Sequence, residues 1–210
     1  IDGQGNFISA SRDRKETTII IPCTEKSAGR ASGIAAHPLC DQLDYVGGIN
    51  DEKTKAYLAE LDSWKDGIAE LNGIYAYVSG KTVIEDLCGS GIFKDGEYQD
   101  TKDAHAKRAL DNEKIRKIGV RFTVQTGEST VNVWENTGLR NAWITHISSS
   151  AAGDAALFDY LSGEAVESVA TQHPKNINSF TGNAKLLSCN DASGFTFRGR
   201  FAKQDDAVIT

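Results

Sequence analysis

The sequence predicts an α+β fold, with a mainly antiparallel β-sheet of hairpins packed against about three α-helices. Three observations carry that expectation. Apolar residues recur at helical spacing through 50–73, whereas every-other-residue alternation surrounds short turns at 74–84 and 120–133. Helices and hairpins also follow one another without the regular strand–helix alternation of a doubly wound α/β sheet.

Residues 1–16 (IDGQGNFISASRDRKE) are polar and glycine-bearing around the single pair Phe7-Ile8, so they read as an N-terminal arm able to reach a neighbouring subunit. Residues 17–210 read as a single α+β domain. TTIIIP (17–22) is β-branched and ends at Pro22, as a strand should. SAGRASG (27–33) is a small-residue loop. In NDEKTKAYLAELDSWKDGIAELNG, residues Tyr57, Leu61, Trp64, Ile68 and Leu71 form one stripe. Asn50 is placed to cap its start and Gly73 to close its end.

GIYAYVSGKTVIEDL alternates Ile74, Ala76 and Val78 against Tyr75 and Tyr77, predicting a hairpin that turns at Ser79-Gly80 and returns through Val83 and Ile84. A second helix is expected over 101–118 with a thin stripe of Leu110, Ile115 and Ile118. VRFTVQTGESTVNV predicts the strongest strand pair, with Phe122, Val124, Val131 and Val133 inward and a turn near Gly127-Glu128. AWITHI (142–147) reads as a strand. DAALFDYLSGEAVESVA reads as a third helix weakened at Gly163. KLLS, GFTFRGRF and AVIT read as closing strands.

A chain of 210 residues with 40% hydrophobic and 25% charged side chains is long and apolar enough to bury a core without staples. Its formal charge of −6 gives no whole-molecule attraction for nucleic acid or anionic membrane, so any such contact needs a local patch. No apolar run approaches the roughly 20 residues of a transmembrane helix. The chain starts at Ile1 and lacks methionine, which suggests a processed product or a fragment. Cys23, Cys40, Cys88 and Cys189 include no C-x-x-C pair, which argues against a zinc ribbon; sequence leaves their disulfide pairing open.

The most eye-catching stretch is HPLCDQLDYVGG (37–48), with a histidine, a cysteine and two aspartates. Leu39 and Leu43 give it an apolar side, and Asp41 and Asp44 supply the wrong charge for an activated thiolate, so it reads as a packed helical turn with a glycine stop. GKT (80–82) matches the end of a phosphate-binding loop, but Tyr75 stands where the earlier glycine belongs and β-prone Val83-Ile84 follow. CGSGIFKDG misses the dinucleotide pattern at Lys94. The acids of KDGEYQDTKD (94–103) lack calcium-loop spacing. Serine elbows and H-E-x-x-H are absent, and no histidines pair at metal-ligand spacing. No catalytic, cofactor-binding or metal residue is assigned.

Between residues 102 and 121, seven bases face three acids. With the aromatic–basic run GFTFRGRF, this nominates Lys107, Arg108, Arg116, Lys117, Arg198 and Arg200 as contacts for a polyanion or protein partner. The expected function is a non-enzymatic structural or binding subunit, a homo-oligomer or one docked to other subunits, in an extracellular or virion assembly. A nucleic-acid-binding protein using those basic residues is the first alternative. A hydrolase or transferase with Cys40 or Cys88 as nucleophile is the second.

Overall fold

The computed structural model describes residues 1–13, 19–28, 30, 33–93, 99–100, 108–109, 113–151, 157–159, 162–166, 180 and 184–185. In chain order its elements are α1 (Glu25–Ala28), β1 (Asp41–Gln42), α2 (Leu43–Val46), α3 (Asp51–Asp62), α4 (Ala69–Ser79) and α5 (Val83–Gly89). Then come β2 (Gln99–Asp100), β3 (Arg108–Ala109), α6 (Glu113–Arg116), β4 (Gly119–Val120), β5 (Thr123–Thr126), β6 (Ser129–Asn132), α7 (Thr137–Ala151), β7 (Leu157–Phe158) and β8 (Ala165–Val166). The fold is α+β, and the described strands pair antiparallel as β1–β4, β2–β3, β5–β6 and β7–β8. The chain divides into two compact units, residues 1–22 with 32–141, and residues 23–31 with 142–210.

In the first unit, α3 starts where the Asn50 side chain accepts the Lys53 N–H at 3.1 Å, with Asp51 and Glu52 in its positive first turn. Tyr57, Leu61, Trp64 and Leu71 are buried as the stripe requires. The stripe does not lie on one helix, however. The chain breaks after Asp62, turns at Gly67 with φ 78°, and restarts as α4. Left-handed φ is open to glycine and costly for other residues, so Gly67 fixes the corner.

The expected hairpin over 74–84 is instead helix, comprising the end of α4 and the start of α5. Ile74, Tyr77 and Val78 are buried at helical spacing, and so is Leu71 a turn earlier. A five-residue apolar run satisfies both periods, and tertiary packing chose between them. Gly73 does not end the helix. It lies inside α4, where a Cβ would come within 2.9 Å of the Asp2 carbonyl oxygen. A Cβ on Gly5, at φ 85°, would likewise come within 2.7 Å of the Tyr77 nitrogen. The first residues of the chain therefore lie directly on α4, with Phe7 stacked on Tyr77 at 6.3 Å between ring centroids.

The 120–133 hairpin forms as expected, with Thr123 opposite Asn132 and Thr126 opposite Ser129. Phe122, Val124 and Val133 point into the core, while Val131 is half-buried. Gly127, at φ 59°, takes the first central position of the turn, the conformation a type II′ hairpin demands there. Residues 1–3 run along the other edge of β5: the Gln125 N–H donates to the Ile1 carbonyl at 3.0 Å, and the Gly3 N–H donates to the Gln125 carbonyl at 2.8 Å.

AWITHI is helical, within α7, because Leu139 and Trp143 fall four apart and both are buried. The Asn136 side chain accepts the Leu139 N–H at 3.0 Å and so caps the start. In the second unit the expected third helix gives way, where described, to the β7–β8 pair, closed by Gly163 at φ 76°. Among the described residues of the predicted helix over 101–118, Arg108–Ala109 form β3 and Glu113–Arg116 are helical. KLLS beyond Lys185, GFTFRGRF and AVIT lie outside the described residues, as do Thr17 and Thr18 of the first predicted strand.

Candidate nucleic-acid interface

The HPLCDQLDYVGG stretch is a structural joint. Leu39, Cys40, Leu43, Tyr45 and Val46 are buried, and Gly47 closes α2 with its N–H on the Leu43 carbonyl at 2.7 Å. The Tyr57 hydroxyl of α3 donates to the Leu39 carbonyl at 2.8 Å, and the Trp64 indole N–H, from the turn just after α3, donates to the Pro38 carbonyl at 3.2 Å. These two bonds satisfy carbonyls that would otherwise be stranded in the core. The Asp41 carboxylate accepts the His37 and Gln42 backbone N–H groups at 2.8 and 2.7 Å, folding the turn on itself. Burial pushes the Cys40 thiol up to about 12, so it stays protonated and poorly nucleophilic.

Asp44 is the charged centre of this joint. Its carboxylate accepts from Lys53 Nζ at 2.6 Å and from Arg116 Nε at 2.7 Å, tying α2 to α3 and α6. Burial raises the Asp44 carboxyl, but the hydrogen bonds and charges of Lys53 and Arg116 outweigh it and hold the group below the usual carboxylate range. Lys53 also sits 5.4 Å from the Tyr45 ring centroid. Arg116, nominated from sequence as a partner contact, thus has a definite role inside the fold. Pairing of this kind depends on residues far apart in the chain, and no local motif announces it.

The other nominated residues fall in several places. Lys117 follows α6 and is exposed. Arg108 lies in β3, paired with Asp100, and its side chain is not described. Lys107, Arg198 and Arg200 lie outside the described residues. Arg121 shows a feature that sequence reasoning did not find: its guanidinium lies 4.4 Å from the Trp134 ring centroid and pairs with the Asp13 carboxylate. The β5–β6 register extends to this pair and makes Arg121 and Trp134 cross-strand neighbours, so alignment of the hairpin was the one signal able to find it.

The GKT segment has a different setting from the one expected. A helix does follow it, α5, but helix α4 rather than a strand precedes it. Lys81, at φ 56°, pairs with Asp51 at 2.8 Å, and the Thr82 hydroxyl donates to Asp86 at 2.9 Å. Its polar groups serve the α4–α5 corner. Among the described residues no three His, Cys, Asp or Glu side chains gather as for a metal ion, and no helix is long and apolar enough to cross a membrane.

Taken alone, fold and charge pairing define the class only as an α+β protein whose described charged groups largely brace packing. The chain belongs to the CRISPR-associated protein (Cas_Csd1) family, which it matches over residues 1–210. No curated protein and no solved structure matches it. Family membership points to a role in CRISPR–Cas immunity and corrects the expected function. The chain is not a structural subunit of a virion or extracellular assembly, and the extracellular location falls with that reading, since CRISPR–Cas proteins normally act inside the cell. The misreading arose because acidic balance and missing motifs are shared by many unrelated proteins. Cas proteins form multi-subunit complexes and bind nucleic acid.

Proposed function

We propose that this chain works as a protein subunit of a CRISPR–Cas complex and touches the nucleic acid of that complex through the basic stretch around residues 102–121, with Lys107, Arg108 and Lys117 as backbone contacts and Arg198 and Arg200 as further ones. The observation that carries this is the family match along the whole chain. The stretch adds support because it is the densest run of positive charge in an acidic protein. Phosphates are bound by such local charge, and counterion release makes the attraction strongly salt-dependent. Its partners are then other protein subunits and the nucleic acid they hold. Arg116 contributes less freely, because its Nε already serves Asp44.

The test is fluorescence anisotropy with single- and double-stranded RNA and DNA oligonucleotides across a salt series. The expected result is binding that weakens as salt rises, with log K falling by roughly 0.7–0.9 per phosphate contacted for each tenfold rise in salt. The combined variant Lys107→Glu, Arg108→Glu, Lys117→Glu should lose at least about tenfold in affinity and flatten the slope. Absence of binding at low salt, or an unchanged slope in the triple variant, would overturn the assignment.

A further inference from the structure

The geometry points to the outer edge of β6 as a docking site for an extended, basic segment of a partner protein, added as a further strand. The sheet order starts from its other side. Residues 1–3 occupy the outer edge of β5 through the Ile1, Gly3 and Gln125 backbone bonds, so that edge is already covered by the chain itself.

On the opposite side, the Val133 N–H donates to the Phe122 carbonyl at 3.2 Å. In an antiparallel ladder, opposite pairs alternate between exchanging bonds and facing away. With Thr123 opposite Asn132 and Gln125 opposite Thr130, the backbone groups of Thr130 and Asn132 therefore point outward. The Asn132 carbonyl is taken by the Glu135 N–H at 3.0 Å, where the chain turns. This leaves the Thr130 N–H, the Thr130 carbonyl and the Asn132 N–H aimed along the open edge.

Ser129, Thr130 and Asn132 are exposed. Sheet edges normally carry a lysine, a proline, a bulge or a covering segment to discourage pairing, and Ser129-Thr130-Val131-Asn132 holds no charge, no proline and no glycine. An undefended edge of this length fits strand addition, in which main-chain bonds give affinity and flanking side chains give selectivity.

Charge selects the occupant. Glu128 and Glu135 are exposed and stand at the two ends of the edge, so an incoming strand bearing Lys or Arg at its ends is favoured. A second copy is disfavoured, because antiparallel pairing of two β6 strands brings Glu128 of one beside Glu135 of the other. The inference rests on the multi-subunit reading only for where such a partner is found. Its own test needs no nucleic acid.

The probe is the end-blocked peptide Lys-Val-Thr-Val-Lys, with Glu-Val-Thr-Val-Glu as its acidic counterpart, added to the isotope-labelled full chain. The expected result is saturable shifts and at least tenfold slower hydrogen exchange at the Thr130 and Asn132 amides with the basic peptide alone. Thr130→Pro removes the outward donor without touching a ladder bond and should weaken the peptide at least tenfold, whereas Thr130→Val, which keeps the N–H and the β-branch, should bind as the parent does. Glu128→Lys with Glu135→Lys should exchange the preference between the two peptides. Equal binding by Thr130→Pro and Thr130→Val, protection elsewhere than β6, or no binding overturns the proposal. If Thr130→Pro disturbs folding, the charge-swap pair decides by itself. Nucleic-acid affinity should stay unchanged in the two Thr130 variants, which leave the charge as it is, and this separates failure here from failure of the interface proposed above.

Discussion

Asp44 shows how a single side chain is read differently by sequence and by fold. In the sequence it is one acid among several near a cysteine; in the structure it is buried and holds two cations from other elements. Because its folded pKa lies below the unfolded value of about 3.9, its contribution to stability is present above that pH and is lost as pH falls through the folded value. Asp44→Asn should cost about 2 kcal/mol at pH 7 in urea unfolding, and the gap between variant and parent should shrink towards zero in acid. A gap that persists at low pH would place the loss in packing instead. Cys40 sits at the same joint with its thiol raised to about 12. In the folded chain at pH 8, iodoacetamide should modify the partly exposed Cys23 and spare Cys40 until denaturant is added, as read by mass spectrometry of tryptic peptides.

At the scale of elements, the question is why some periodicities were decisive and others were not. The hairpin at β5–β6 alternates over eight residues around a glycine turn, a pattern that a helix would scatter over all its faces, and it formed as expected. The run Ile74 to Val78 is too short to separate the two periods, and α4 won because Leu71, Ile74, Tyr77 and Val78 make a single buried face. Glycine position was similarly ambiguous. Gly73 looks like a helix stop but is a contact point, since the Asp2 and Gly3 backbone occupies the space of its missing Cβ. Gly73→Ala should therefore destabilise by about 2 kcal/mol, where a free helix would gain about 1 kcal/mol. Gly89→Ala, at the end of α5 with open space around it, should be neutral or stabilising. Thermal unfolding of both variants checks the contrast, and a stabilised Gly73→Ala chain would mean that the first residues do not press on α4.

At the scale of the whole molecule, a net charge of −6 sets a condition on any polyanion contact: it must be local, and it must be strongly damped by salt. The salt series proposed above measures that condition directly. The described cations also explain why charge counting misleads. Lys53, Lys81, Arg116 and Arg121 all spend charge on Asp44, Asp51 or Asp13, so the number of bases in the sequence overstates what is free for a partner.

By itself the sequence determined the α+β class, the β5–β6 hairpin, most of the buried stripe from Tyr57 to Leu71 and the structural character of HPLCDQLDYVGG, because each depends on patterns within about twenty residues that water sorts by polarity. Only the tertiary structure decided that the stripe bends at Gly67, that 74–84 is helical, that Asp44 gathers Lys53 and Arg116, and that Thr130 and Asn132 face outward on an open edge. Those outcomes turn on which distant segments arrive to satisfy a charge, a backbone group or an empty volume, and no local spacing records an arrival.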